Sequence, residues 1–296
     1  MKKTYLYAAI SILLWSTMAT VSKLLLGSLN SYQVLMCNAL FAAVALLIPA
    51  IFSGKIKQLT KYQLKDYLLT LLIGLPGTFL YYVFLYTGTE RMAASQAFII
   101  NYLWPIMSVV FACIILGERL TARKWIALAL SFLGVLTVAG NELLHFQVGT
   151  LLGVLLCIGA AVSYGLFTAL NRKWDYDDQI TIMLSFFASF VLTLIINLFM
   201  GEEFHIGAIQ VMGFAWNGMA VMGFASLLWA LALKKGGTSK IANLAYITPF
   251  LSLVWTFWIL KEPISPYSII GLCLIVVGIL IQLKPPKKEK ENSHHE

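Results

Sequence analysis

The chain has 296 residues, of which 60% are hydrophobic and only 11% are charged, and its formal net charge is +8. Soluble domains carry about 25% charged residues, so this composition excludes an ordinary water-soluble protein. Because the mean hydropathy is +0.84 and the apolar residues form separate runs of about 20 residues, the sequence predicts an all-α membrane protein.

In chain order, the apolar runs predict ten transmembrane helices, numbered spans 1 to 10. They cover roughly residues 4–26, 31–53, 66–87, 92–116, 122–140, 148–171, 179–200, 207–233, 238–260 and 266–284. The connections are short, and several contain turn or helix-cap signals such as GNE and KEPISP. The first run follows a positive N-terminus without a cleavage signal, so it is predicted to be a retained helix.

The basic residues are distributed unevenly between the two sides of these spans. Of the 21 Lys and Arg residues, 18 lie at the termini and in loops on one side, and only Arg91 and Lys261 lie on the other. This asymmetry predicts that both termini are cytoplasmic, with the chain in the cell membrane. The positive charge therefore sets orientation, and no nucleic-acid partner is predicted. Lys23, near the end of span 1, is expected to snorkel outward, or alternatively to bind a substrate carboxylate.

The chain also resembles itself. A shift of 144 residues aligns 95–120 with 239–264 without a gap, so that Tyr102 meets Tyr246, Pro105 meets Pro249 and Glu118 meets Glu262. Each copy has five spans, an odd number, so the second copy should enter the membrane from the opposite side. We predict inverted repeats at residues 1–143 and 144–284, followed by a disordered cytoplasmic tail at 285–296. Such repeats are typical of secondary transporters with a site near the membrane midplane.

Span 4 is interrupted by the motif NYLWP. Pro105 has no N–H, so the carbonyl of Asn101 loses its helical donor, and Pro249 has the same effect in span 9. An unpaired carbonyl is tolerated in a membrane only against protein or a water-filled cavity. We therefore predict helix kinks at Pro105 and Pro249 and a cavity-lining face that includes Asn101 and Trp104. A kink that only helps the helices to pack is the alternative.

Further polar and aromatic side chains within the spans are predicted to line the same central cavity. The complete predicted substrate-binding set is Ser16, Tyr82, Asn101, Tyr102, Trp104, Ser163, Tyr164, Trp229, Asn243 and Tyr246. For any single serine in this set, a hydrogen bond to a neighbouring helix is the alternative role. Glu118 and Glu262 each follow a proline-containing span and are predicted to stabilise a turn or to form a gate.

Several chemistries are disfavoured by what the sequence lacks. No Asp or Glu falls at mid-membrane, which argues against a proton antiporter that uses a buried carboxylate. The sequence has no HExxH or GxSxG motif, no histidine within a span, and four cysteines without CxxC spacing. We therefore predict no enzyme activity, no metal site and no cofactor. An aromatic box could still hold a quaternary ammonium group.

The two segments ILGERLT and ILKEPIS, each following a proline-containing fourth span, resemble the drug/metabolite transporter superfamily, specifically its EamA type. The resemblance implies a central cavity between spans 3, 4, 8 and 9 with spans 1 and 6, and a peripheral position for spans 5 and 10. LLWSTM and NYLWP also resemble the YddG-type exporters of aromatic amino acids, whereas the second copy departs from that pattern.

The resulting expectation is a secondary transporter that exports small neutral or zwitterionic metabolites such as amino acids. A transporter of choline or other small organic cations is the alternative, and a channel or an intramembrane enzyme fits less well. The expected partners are a small-molecule substrate and the lipid bilayer. The small residues Gly134 and Gly278 in spans 5 and 10 are expected to pack helices together or to form a homodimer.

Overall fold

The computed structural model describes residues 2–119, 121–144, 148–236 and 243–283. Within these ranges the chain forms helices and turns and contains no β-strand, which confirms the predicted all-α class. The predicted tail at 285–296 with His294 and His295, and the side chain of Asn243, lie outside the described part.

Helices occur at all ten predicted spans, and each keeps its span number. The α-helices are Lys2–Ser16 and Met18–Leu26 in span 1, Ser31–Phe52 in span 2, Leu64–Leu75 and Tyr81–Glu90 in span 3, Ala94–Asn101 and Trp104–Leu116 in span 4, Ala122–Leu144 in span 5, Val148–Lys173 in span 6, Asp178–Met200 in span 7, Ala208–Phe214 and Ala225–Gly236 in span 8, Thr248–Leu260 in span 9 and Pro266–Leu283 in span 10. In the described part, seven stretches are long and apolar enough to cross a membrane.

Spans 4 and 9 are interrupted at matching positions. In span 4 the first helix ends at Asn101 and a second begins at Trp104, with Pro105 in its first turn. In span 9 a 3₁₀-helix, Asn243–Ile247, precedes the α-helix that begins at Thr248 with Pro249 in its first turn. Proline is tolerated there because the first turn needs no N–H donor. Trp104 and Thr248 are 144 residues apart, so the interruption repeats in the sequence register.

Spans 3 and 8 share a second irregularity, since each contains a π-helical segment. These segments are Pro76–Leu80 and Ala215–Phe224. A π-helical segment shifts the hydrogen-bond ladder by one residue and is frequent at functional sites. In the part of the chain that the structure describes, the irregular helices are therefore spans 3, 4, 8 and 9, together with span 1, which breaks at Thr17.

The turns after spans 4 and 9 also match residue for residue. Gly117 and Lys261 adopt left-handed backbone conformations with φ of 71° and 58°. The following amides, of Glu118 and Glu262, donate to the carbonyls of Ala112 and Thr256, each at 3.3 Å. Each pair is related by 144 residues, so the internal repeat extends to backbone geometry and presents a glutamate at both turns.

These two glutamates lie at opposite ends of the helix bundle. The Glu262 carboxylate contacts the first residues of the Ala94–Asn101 helix, so the C-terminal end of span 9 lies beside the N-terminal end of span 4 and the two run antiparallel. We call this side the Glu262 end. The opposite side, where Glu118 meets the C-terminal end of span 6, is the Glu118 end.

Spans 5 and 10 pack against each other through their small residues. A Cβ atom on Gly134 would lie 2.6 Å from the carbonyl oxygen of Gly271, and one on Gly278 would lie 2.8 Å from that of Ala127. The small-residue faces are therefore occupied within the chain. A homodimer through spans 5 and 10, which stays a prediction, would have to use their other faces.

We expect Gly271→Ala to lower the melting temperature of the purified protein, because its Cβ would come within 2.4 Å of Val138 and 2.6 Å of the backbone at Gly134. Overpacking of this kind costs about 1–3 kcal/mol. Gly149→Ala is the matched control, since nothing lies within 4 Å of its Cβ position. Equal melting temperatures for the two variants would contradict the described packing of spans 5 and 10.

Candidate functional site

The interruption of span 4 places an amide and three aromatic rings in contact. The Nδ2 of Asn101 donates a hydrogen bond to the hydroxyl of Tyr81 at 2.8 Å. The Tyr81 ring lies 5.0 Å from that of Tyr164, and the Tyr164 ring lies 5.0 Å from that of Trp104. Asn101, Tyr81, Tyr164 and Trp104 form what we call the span 4 cluster, to which spans 3, 4 and 6 contribute.

The span 4 cluster has a polar atom available for a ligand. Asn101 is only 4% exposed, and its Oδ1 has no hydrogen-bond partner among the described residues. An unpaired buried acceptor costs about 1–3 kcal/mol, which a ligand N–H or O–H would recover. Trp104 and Tyr164 are half-buried, so the aromatic side of the cluster is partly exposed. The arrangement suits a small molecule with a hydrogen-bond donor beside a flat or apolar group.

Two more predicted residues extend this cluster or lie beside it. The ring of Tyr82 lies 4.7 Å from that of Tyr81 and 6.1 Å from that of Phe186, and Tyr82 is buried. Ser163 is also buried in span 6, one residue before Tyr164. Both side chains are buried among protein atoms. In this conformation they therefore pack beside the cluster and do not face a cavity.

Tyr102 lies at a different contact, between spans 4 and 9. It lines a narrow crevice together with Ser95 and Phe98 of span 4 and Pro249 and Ser252 of span 9. Tyr246 is half-buried in the 3₁₀ segment that leads to Pro249. The two interrupted helices therefore meet near their breaks, as expected for equivalent elements of two repeats.

Ser16 and Trp229 belong to a separate group on spans 1, 8 and 9. Ser16 accepts a hydrogen bond from the Nε1 of Trp255 at 2.9 Å. The Trp229 ring lies 5.1 Å from that of Trp15. These contacts join spans 1, 8 and 9 to one another, whereas the span 4 cluster joins spans 3, 4 and 6. The predicted residues thus fall on two walls of the bundle.

The two halves of span 4 pack differently. Its first helix, Ala94–Asn101, contacts spans 1, 3, 5, 6, 9 and 10, whereas Trp104–Leu116 packs mainly along span 6. The first helix belongs to the Glu262 end and the second to the Glu118 end. Contacts between the two walls are therefore concentrated at the Glu262 end.

Side chains link different spans at the Glu262 end by bonding to backbone groups. The two carboxylate oxygens of Glu262 accept hydrogen bonds from the N–H groups of Ala94 at 2.8 Å and Ser95 at 2.9 Å. A carboxylate at a helix N-terminus is stabilised by the unpaired N–H groups and the helix dipole. We call this contact the Glu262 cap. It links span 9 to span 4, which are far apart in sequence.

Lys23 adds a second link at the same end. Its ammonium group donates to the carbonyls of Thr89 at 2.6 Å and Met92 at 2.8 Å. The prediction that Lys23 snorkels outward was wrong, because the carbonyls at the end of span 3 offer it acceptors inside the protein. Span 1 is thereby tied to the turn that precedes span 4.

Glu118, the sequence counterpart of Glu262, makes a different set of contacts. Its carboxylate pairs with Arg172 at 2.9 Å and with Lys124 at 3.2 Å. The hydrogen bond from Arg172 lowers the pKa of the Glu118 carboxyl below its ordinary value. These pairs tie the end of span 4 to spans 5 and 6, on one wall only. The described contacts of Glu118 therefore do not bridge the two walls as those of Glu262 do.

We expect the Glu118 pairs to stabilise the protein equally from pH 5 to pH 8. Because the folded pKa is lowered, their contribution is fully present above the unfolded pKa of about 4.3 and is lost as the pH falls through the lower folded pKa. The pairs are partly exposed, so each is worth less than about 1 kcal/mol. The melting-temperature difference between wild type and Glu118→Gln should shrink only in acid. A difference that changes between pH 6 and pH 8 would contradict this assignment.

A second polar group in the structure consists of residues outside the predicted substrate-binding set. The hydroxyl of Tyr86 accepts hydrogen bonds from the amides of Asn38 at 3.1 Å and Asn217 at 3.2 Å, and Asn217 also contacts Ser22 at 3.3 Å. Each of these side chains is fully buried. We call Ser22, Asn38, Tyr86 and Asn217 the Tyr86 cluster. One sequence feature could have identified this cluster. Asn38, like Asn101, is an amide side chain inside an otherwise apolar span.

The geometry can be compared with known proteins. Residues 2–140 and 151–283 match the EamA-like transporter family, and each stretch falls within one predicted repeat. An uncharacterized transporter of Clostridium kluyveri is 24% identical over 98% of this chain and 96% of its own length. The uncharacterized transporter YvbV of Bacillus subtilis is 26% identical over 97% of this chain and 94% of its own.

Two further similarities extend over nearly the whole chain. An S-adenosylmethionine uptake transporter of Rickettsia felis is 22% identical over 99% of this chain and 97% of its own. A solved crystal structure has a TM-score of 0.67 at 19% identity and covers 95% of this chain and 98% of the other, which supports the fold alone. Because the family match covers most of both halves, the chain belongs to the EamA-like transporter family, within the drug/metabolite transporter superfamily, and is a multi-pass membrane protein.

Proposed function

We propose that the protein is a secondary transporter, most simply an exporter, of small neutral or zwitterionic metabolites such as amino acids. The observation that carries the proposal is the span 4 cluster, in which the unpaired Oδ1 of Asn101 lies beside the rings of Tyr81, Tyr164 and Trp104. An amide oxygen can accept from the ammonium group of an amino acid, and the rings can pack against its side chain.

We further propose that transport occurs by alternating access between two inverted repeats. The matching helix interruptions at Trp104 and Thr248, and the antiparallel contact of spans 4 and 9, support this mechanism. The distribution of basic residues favours a cytoplasmic Glu118 end. With the Glu118 end in the cytoplasm, the Glu262 cap and Lys23 would close the outer side of the protein. In the proposed cycle, this conformation is the inward-open state, which binds substrate from the cytoplasm.

A second candidate substrate class is the small organic cations. Aromatic faces hold such cations through cation–π interactions, which are worth about 2 kcal/mol when desolvated. One of the similar transporters takes up S-adenosylmethionine, a molecule with a sulfonium cation and a flat base. The Trp104 and Tyr164 rings of this chain could hold either group, whereas Asn101 would suit a ligand N–H.

A competition panel in proteoliposomes distinguishes these substrates. The purified full-length protein would be reconstituted, and uptake of one labelled aromatic amino acid would be measured against unlabelled amino acids, S-adenosylmethionine, choline and purines. We expect neutral amino acids to compete and choline not to compete. Competition by choline and S-adenosylmethionine alone would replace the first proposal with the second, and no saturable uptake of any of these compounds would contradict both.

A further inference from the structure

A cavity of about 350 Å³ lies at the Glu262 end, between spans 4, 6 and 10. Ser95 of span 4, Thr150 of span 6 and Ser268 of span 10 line it, together with Met92 and Gln96. Its volume lies within the range of about 300–1,000 Å³ that is usual for small-molecule sites. We call it the Glu262-end cavity. Its described lining residues include no charged side chain, so they offer a ligand hydroxyl, amide and backbone groups instead.

Three hydroxyl groups of this lining are nearly buried and lack protein partners. Ser95, Thr150 and Ser268 are 7%, 9% and 3% exposed. Within the described ranges their hydroxyls make no hydrogen bond. Buried polar groups are hydrogen-bonded in the great majority of cases. These three hydroxyls are therefore free to bind a polar ligand in place of water.

The same three hydroxyls mark the N-terminal ends of three α-helices. Each lies in a first turn, at the second residue of the span 4 helix and at the third residue of the helices of spans 6 and 10. First-turn N–H groups have no acceptor within their own helix, and the helix dipole makes this end partially positive. Three such ends at one cavity favour an anionic group such as a carboxylate.

Two of these helix ends show how a carboxylate could be held. At span 4, the N–H groups already donate to the carboxylate of Glu262. At span 10, Ser265 accepts from the N–H of Tyr267 through its hydroxyl and from the N–H of Ile269 through its carbonyl, each at 3.2 Å. No described residue accepts from the N–H of Ser268, which lies between them. Ser268 therefore offers a ligand both an N–H and an O–H.

We propose that the Glu262-end cavity binds the carboxylate group of a small zwitterionic metabolite such as an amino acid. The N–H and O–H of Ser268 and the hydroxyl of Thr150 would donate to this carboxylate. Glu262 adjoins Pro263 of the lining, and its negative charge favours a zwitterion over a simple anion because it attracts the ammonium group. The inference rests on the proposed function, since it gives the same substrate class a second site.

Ser95 connects the Glu262-end cavity to the crevice between spans 4 and 9, because it lines both. The crevice also contains Tyr102, the residue after Asn101 of the span 4 cluster, and it is too narrow for a water molecule. The two sites are therefore separate in this conformation. Movement of the first helix of span 4, which the Glu262 cap restrains, would join them.

A cysteine in the cavity lining tests carboxylate binding without measuring transport. In a background without the native cysteines, Met92→Cys in lipid nanodiscs would be reacted with methyl methanethiosulfonate. Saturating L-phenylalanine should slow the reaction by about tenfold or more, whereas phenethylamine, which lacks the carboxylate, should leave the rate unchanged. An unreactive thiol, no protection by L-phenylalanine, or equal protection by phenethylamine would overturn the proposal.

Met36→Cys is the matched control, because Met36 is also 8% exposed but does not line the cavity. Its reaction rate should not respond to L-phenylalanine. Equal protection at both positions would indicate a general change of the protein and would overturn the assignment to the cavity.

Variants of the proposed ligands complete the test. Thr150→Val combined with Ser268→Ala removes both hydroxyls, so the L-phenylalanine concentration that gives half-protection should rise by about tenfold. Unchanged protection in this double variant would overturn the proposal. Protection should persist in Asn101→Ala, because the span 4 cluster is a separate site. Protection without saturable uptake would contradict only the proposed function, and normal uptake without protection would contradict only this inference.

Discussion

Asn101→Ala should reduce transport of the labelled substrate by roughly tenfold to a hundredfold while leaving the protein folded. The change removes the unpaired Oδ1 and also the amide that positions the Tyr81 hydroxyl. A lost hydrogen bond to a ligand costs about 1–3 kcal/mol, which corresponds to this range. The measurement is initial uptake into proteoliposomes at matched protein density.

The control for this prediction is Asn197→Ala, which removes a comparable amide from span 7, away from the span 4 cluster. Trp104→Ala should resemble Asn101→Ala, because its ring packs on Tyr164. Wild-type uptake by both Asn101→Ala and Trp104→Ala would exclude the span 4 cluster as the substrate site. Loss of uptake in Asn197→Ala as well would indicate a general defect of folding.

Glu262→Ala should open the Glu262 end of the protein. The change removes two charge-assisted hydrogen bonds to the N–H groups of Ala94 and Ser95, each worth about 1.5–3 kcal/mol. A cysteine placed at Ser95, which is only 7% exposed, should therefore react at least about tenfold faster with a membrane-impermeant maleimide. The Ser95→Cys change keeps the backbone N–H that the Glu262 cap uses.

The reactivity would be compared in a background without the four native cysteines. Glu202→Ala is the matched control, because this carboxylate at the same end accepts a hydrogen bond from Asn30, the N-cap residue of span 2. An unchanged labelling rate in Glu262→Ala, or an equal increase in Glu202→Ala, would show that the Glu262 cap does not hold this end closed.

The fold class and family could be predicted because they depend on features that a sequence displays directly. Apolar run lengths predict helices, and the 144-residue register predicts which helices are equivalent. The helix interruption before Pro105 has its counterpart before Pro249. The left-handed turn at Gly117 has its counterpart at Lys261. Lys261 shows how far the register extends, since it keeps the left-handed conformation without glycine.

The candidate site could be predicted only in part, because spacing along a helix does not reveal which helices are neighbours. NYLWP identified Asn101 and Trp104, but the link through Tyr81 depends on the contact of span 3 with span 4. Asn38 was missed because the 144-residue shift sets it on Ile182, so no repeat marked it. Lys23 was misassigned because its acceptors are backbone carbonyls of another span.

Alternating access would be tested most directly by a counterflow measurement in proteoliposomes. Vesicles loaded with the unlabelled substrate would be diluted into a trace of the labelled one, with and without the inner load. Alternating access around the span 4 cluster predicts that the load accelerates tracer entry and that Asn101→Ala abolishes the acceleration. Tracer entry that is unaffected by the load and does not saturate would contradict the account and indicate a channel.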